Sequence, residues 1–109
     1  MTTEQLALLP LTEPDYSPDL TIAERFEAFH SANPHVAEAL EALAAEWLAH
    51  HRKVGVKALV ERLRWESGIQ TQGDAYRINN SLVSHYARLL IARRPEWAER
   101  IETRRLHAA

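Results

Sequence analysis

The sequence predicts an all-α fold of four or five helices with a helix-turn-helix-like C-terminal unit. Three observations carry this expectation. Only three glycines occur in 109 residues, and Ala, Leu, Glu and Arg outweigh β-branched residues, a composition that favours helix over sheet. Apolar residues recur at steps of three and four, the period of a helix with one buried face. Capping residues punctuate those stripes. The length suits one domain, and 46% hydrophobic content is enough for one core.

Residues 1–20 read as an N-terminal arm. Pro10, Pro14 and Pro18 recur every four residues and forbid a regular helix. Leu6, Leu8, Leu9, Leu11 and Tyr16 make the arm too apolar for a solvated tail. It reads as an extended segment laid over the core or a neighbouring subunit. The alternative is a leader that orders on binding a partner. Residues 21–109 then form a single helical domain.

The first helix is expected to start at Thr21, because Thr21-Ile22-Ala23-Glu24 has the form of a capping box. Ile22, Phe26 and Phe29 fall on one face, and the helix should end near Asn33. Asn33-Pro34 restarts the chain, with Asn33 as N-cap and Pro34 at the first helical position. Val36, Leu40, Leu43 and Trp47 form the second stripe, which should run to about His50. Gly55 marks a break. Val56, Leu59, Val60 and Leu63 define a third helix, ending near Ser67-Gly68, where glycine suits a C-cap. Residues 68–79 read as a polar connection with a turn signal at Gly73-Asp74, whose flanks could pair as a short β-hairpin. Asn79 or Asn80 caps a fourth helix with Leu82, Val83, Tyr86, Leu89 and Leu90 on its apolar stripe. Arg94-Pro95 ends it, and Pro95 opens a last short helix containing Trp97 and Ile101.

The charges are segregated. Residues 1–46 hold nine acids and one base, a net −8; residues 47–109 hold twelve Lys/Arg and six acids, a net +6. The overall −2 therefore hides a basic C-terminal half. Such asymmetry points toward a polyanion, or toward two halves that neutralise each other by packing.

The fourth helix carries the candidate site. Ser81, Ser84, His85, Arg88 and Ala92 lie opposite or beside its apolar stripe, and no Asp or Glu occurs from Asn80 through Pro95. Short hydroxyls, an imidazole and a guanidinium are groups that read base edges and phosphates in a major groove. Asn80 and Ser81 would stand at the helix N-terminus, the reading end in helix-turn-helix proteins. The other reading is an ordinary amphipathic helix with a polar outer face. The expected set is Asn80, Ser81, Ser84, His85 and Arg88 toward the groove, with Arg62, Arg64, Arg77, Arg93 and Arg94 near phosphates. The spacing departs from a simple helix-turn-helix, because roughly a dozen residues separate Ser67 from Asn80, against about four in the motif. Of the aromatic residues Trp65, Tyr76, Tyr86 and Trp97, most read as core, and Trp65 is the exception because it lies off its helix's apolar stripe.

Chemistry is not indicated. There is no cysteine, which excludes a disulfide scaffold, a thiol nucleophile and Cys-ligated zinc. His50 and His51 are helical neighbours about 100° apart and cannot face one metal. Asp74, His85 and Ser81 or Ser84 supply the residue types of a triad without a nucleophile elbow. No phosphate-loop or dinucleotide glycine pattern occurs. The expectation is a non-enzyme with no cofactor and no metal. No stretch approaches the roughly 18 apolar residues of a membrane span, and no signal peptide is visible, so a cytoplasmic setting without membrane contact is expected.

Some segments resemble a group of small proteins. The run Ile22-Ala23-Glu24-Arg25-Phe26-Glu27-Ala28-Phe29-His30 with Asn33-Pro34-His35-Val36 is similar to their opening. Leu63-Arg64-Trp65-Glu66, Gly73-Asp74, Asn79-Asn80, Tyr86-Ala87-Arg88-Leu89 and Glu102-Thr103-Arg104 are similar to later stretches. Over roughly residues 21–106 the chain resembles an uncharacterised family of short actinobacterial and bacteriophage proteins. The resemblance implies a bacterial or phage setting and supplies no activity and no functional residue. The function expected first is a small duplex-DNA-binding protein, a transcriptional or phage or mobile-element regulator. The alternative is a protein-interaction module whose arm captures a second copy or a host protein.

Overall fold

The computed structural model describes residues 19–71 and 80–103, and within these the backbone alone at 66–71, 80 and 81. The expected connection at 72–79, most of the arm, Arg77 and Asp74 lie outside the described residues. The described fold is all-α apart from one short pair of strands: four α-helices, a single 3-10 turn and two two-residue strands.

Helix α1 (Ile22–Ala32) starts as its sequence dictates. The Glu24 N–H donates to Thr21 Oγ1 at 3.1 Å, and the Thr21 N–H donates to Glu24 Oε1 at 3.0 Å. Both bonds satisfy donors that the helix itself leaves open. Phe26 and Phe29 are buried, but Ile22, expected on the same face, is exposed because the packed surface begins one turn further on.

Helix α2 (Pro34–Leu48) is central, with Val36, Ala37, Ala39, Leu40 and Ala44 fully buried. Pro34 opens it as expected, but Asn33 does not cap it through its side chain. The buried Asn33 amide turns back instead, and its Nδ2 donates to Phe29 O in the last turn of α1 at 3.0 Å. Phe29 O, which already accepts the Asn33 backbone N–H at 2.9 Å, thus takes a second donor that could not be left unpaired inside.

Strand β1 (Val54–Gly55) pairs in parallel with β2 (Ile101–Glu102), matching Val54 to Ile101 and Gly55 to Glu102. A parallel pair needs a crossover, and helices α3 (Val56–Thr71) and α4 (Asn80–Arg93) lie within it. The strands thus close the two-helix unit at its base. A Cβ at Gly55 would stand 3.2 Å from the carboxylate tip of the exposed Glu102 side chain, which can swing aside by the few tenths of an ångström required.

Two expectations change here. Helix α3 continues through Gly68 to Thr71, so Gly68 is not a C-cap and 68–71 is helix instead of hairpin. One glycine costs a helix about 1 kcal/mol, which propagation on both sides tolerates. The last short helix is a 3-10 turn, Pro95–Trp97, and Ile101 leaves it to become strand. A buried β-branched residue facing Val54 suits a strand better than a helix end.

The core joins all elements. Leu59, Val60 and Leu63 from α3 and Leu82, Tyr86, Ala87 and Leu90 from α4 pack with α2 and with Phe26 and Phe29. Trp97 is buried as expected and Trp65 is 69% exposed as expected. Trp47 departs from its stripe and is 45% exposed. Its indole N–H needs an acceptor and finds Lys53 O at 2.9 Å at the surface, with His51 stacked on the ring.

Candidate functional site

Helix α4 is packed against α1, α2 and α3, and its remaining face is the candidate site. Ser84 is half-buried and Arg88 is exposed. They stand one turn apart, so they share a face. Ser84 lines a shallow hollow of about 240 Å³ with Val83 and Ala87 of α4, Val56 and Lys57 at the start of α3, and Glu102 of β2. Lys57 is exposed and escaped the sequence reading, because only the strand pairing brings the start of α3 beside the middle of α4. Asn80 and Ser81 occupy the first turn of α4, where backbone N–H groups and the helix dipole favour an anion.

The other expected residues divide. The His85 ring stacks on Phe26 with centroids 5.2 Å apart and planes 21° apart, which commits it to the contact between α4 and α1. Arg93 Nη1 and Arg94 Nε donate to the two carboxylate oxygens of Glu41 on α2, at 3.3 and 3.0 Å. The Arg94 guanidinium also lies over the Trp97 ring, 5.1 Å from its centroid. These two arginines therefore tie the end of α4 to α2. Arg64 pairs with Glu61 one turn earlier at 3.2 Å, both exposed. Arg62 is exposed on α3 and lines a different depression. The expected residues whose side chains are described thus do not form one patch. Ser84 shares its face of α4 with Arg88 and its hollow with Lys57, whereas His85, Arg93 and Arg94 make packing contacts.

The second depression is a groove of about 400 Å³ between the end of α2, β1 and α3, lined by Leu43, Trp47, His51, Val54, Leu59 and Arg62 among others. Trp47 and His51 stack face to face at 3.7 Å and 11°. The loop beneath is held by Arg100, whose Nη2 donates to Leu48 O at 2.7 Å and His51 O at 2.9 Å. Its Nε donates to Arg52 O at 3.2 Å. Sequence spacing gave no signal for this arginine, because its three acceptors are main-chain carbonyls nearly fifty residues away.

Two carboxyl and imidazole groups are shifted. The Thr21 N–H and hydroxyl hold the Glu24 carboxyl below its ordinary value. Burial and the nearby Arg93 charge push the His30 imidazole down, against a smaller upward pull from Glu27. Among the described residues no group of three or more His, Asp or Glu is placed to hold a metal ion. No described helix is long and apolar enough to cross a membrane. Against known proteins, no family model, no curated protein and no solved structure matches the chain.

Proposed function

We propose that the protein binds duplex DNA through the exposed face of α4, as a small helix-turn-helix-like regulator. The observation that carries this reading is the shared face of Ser84 and Arg88, with Lys57 standing across the hollow from Ser84. Helix α4 holds no carboxylate along its whole length, so the field over this face stays positive except near Glu102. Arg88 and Ser84 supply groove contacts, and Asn80 and Ser81 extend them at the helix start. Lys57, Arg62, Arg64 and Arg77 supply phosphate contacts, which give affinity and salt sensitivity without sequence choice. Arg93 and Arg94 share Glu41, so together they add one net charge. A bacterial or phage cytoplasm is the setting that the resemblance over residues 21–106 favours.

The test is binding of the full chain to duplex DNA across a salt series, with Ser84→Ala/Arg88→Ala beside it. The wild-type affinity should fall steeply with salt. The double variant should bind more weakly with an unchanged melting temperature, and its salt slope should stay close to that of the wild type, because the phosphate contacts are kept. Equal affinity in the double variant would remove the assignment.

A second reading, a protein-interaction module, is favoured by the exposed indole of Trp47 at the rim of the apolar groove. Exposed tryptophans beside a groove are common anchors of protein contacts. Absence of DNA binding at low salt is the result that would move the assignment to it, with the N-terminal arm as the first segment to test for self-association or capture of a host protein.

A further inference from the structure

The contact between α1 and α4 is built around one aromatic ring and two imidazoles. Phe26 stacks with His30, centroids 5.8 Å apart and planes 7° apart, and with His85, centroids 5.2 Å apart and planes 21° apart. Tyr86 meets Phe26 edge-on at 4.8 Å and His30 edge-on at 6.4 Å. His30 Nδ1 is buried and meets no hydrogen-bond partner among the described residues. A neutral imidazole tolerates this position, since Nδ1 then carries only a lone pair. A protonated one would place a charged N–H there with no acceptor.

The surroundings favour the neutral ring. From α4 the ring meets Tyr86 and feels the charge of Arg93, while His85 stacks on Phe26. On α2, Glu41 is engaged by Arg93 and Arg94, and His35 has its own Nε2 buried. Glu27, on α1 itself, is the acid that draws a proton toward His30, but it is exposed and its attraction is screened. Attraction of an imidazolium to the Phe26 face is weaker than the cost of an unmade buried charged hydrogen bond.

We propose that His30 is an acid-sensitive latch between α1 and α4, closed while its imidazole is neutral and loosened when it takes a proton. This goes beyond DNA binding and stands whether or not that reading holds. Burial and Arg93 set the folded-state value below the ordinary 6.5. The unfolded chain therefore binds the proton first, and stability falls as pH drops from about 6.5 toward the folded-state value.

The experiment compares melting temperatures of the full-length wild type and His30→Phe from neutral to mildly acid pH. The ring substitution keeps the stack and removes the titration. The wild type should lose more on acidification than His30→Phe, with the excess confined to the window below 6.5. Parallel losses in the two proteins would overturn the proposal. Should His30→Phe fail to fold, an NMR titration of the wild-type imidazole decides instead. A His30 midpoint below 6.5, with early loss of amide protection in α1, supports the latch, and a midpoint at or above it refutes it.

Discussion

Replacing Arg100 by alanine should loosen the loop that follows α2, beneath the groove between α2, β1 and α3. The guanidinium donates to three main-chain oxygens, Leu48 O at 2.7 Å, His51 O at 2.9 Å and Arg52 O at 3.2 Å. Leu48 O belongs to the last turn of α2, where carbonyls lack helical partners and the dipole favours a cation. The Leu48 bond is partly buried, so its loss carries the cost of a bond to a charged donor, about 1.5–2 kcal/mol. The other two are exposed and are replaced by water, so they add roughly 0.5 kcal/mol each at most. The sum is about 1.5–3 kcal/mol, which lowers the melting temperature by roughly 6–12 °C in a domain of this size. Arg100→Lys keeps the charge but loses the planar fork, so it should recover the Leu48 contact alone and fall between the two. Urea unfolding followed by tryptophan fluorescence gives the free energies directly, and the slope should be unchanged if the native surface is kept. A loss below about 0.5 kcal/mol in Arg100→Ala would refute the assignment of these bonds as the fastening of the loop.

Two further outcomes test other parts of the argument. Glu41→Gln removes the carboxylate that holds Arg93 and Arg94, so stability should drop by about 1 kcal/mol, because both arginines are partly exposed. The same change frees one positive charge near α4. In the DNA reading, affinity for duplex should rise and the salt slope steepen by roughly one unit, measured in the same salt series. Thr21→Ala removes the N-cap of α1 and should cost about 1 kcal/mol at neutral pH in urea unfolding. Because the folded-state Glu24 carboxyl lies below its ordinary 4.5, its contribution is present above that value and lost as pH falls through the folded-state value. The alanine variant keeps the backbone N–H that donates to Glu24 and loses only the hydroxyl's share, so its acid limb should be slightly shallower than that of the wild type.

Local signals in the sequence were read well where one residue controls one event. The Thr21–Glu24 box, the Pro34 start and the Arg94-Pro95 stop each act within four residues, and each falls where the spacing places it. The differences share another cause. Residue preference alone points Gly68 to a C-cap and Asn33 to an N-cap, and tertiary context overrides it: α3 runs on through the glycine, and the buried Asn33 amide serves α1 instead of α2. Trp47 and Ile101 were placed by periodicity on helices, yet each is governed by a partner far along the chain or at a helix end, the Lys53 carbonyl and Val54 respectively. No window of local sequence contains the Val54–Ile101 pairing, so β1, β2 and the position of Lys57 beside Ser84 could not be read from it.

Charge segregation illustrates the same limit on the functional side. Counting charges gave a basic half and an acidic half, with two readings left open: contact with a polyanion or mutual neutralisation. The fold divides the arginines between them. Arg93 and Arg94 meet the acidic half through Glu41, and Arg64 meets an acid of its own helix. Arg88 and Lys57 remain exposed around Ser84, and there the polyanion reading has to stand. A binding surface this small makes few phosphate contacts from one copy, and affinity at physiological salt rises with the number of such contacts. Tight binding by this face therefore requires either the basic residues outside the described segments, Arg77, Arg104 and Arg105, or a second copy of the chain. The salt slope separates weak from sufficient contact: a slope near one means that Lys57 acts almost alone on the phosphates, and a slope of four or more, at roughly 0.9 per phosphate, means that further cations such as Arg62 and Arg64 join it.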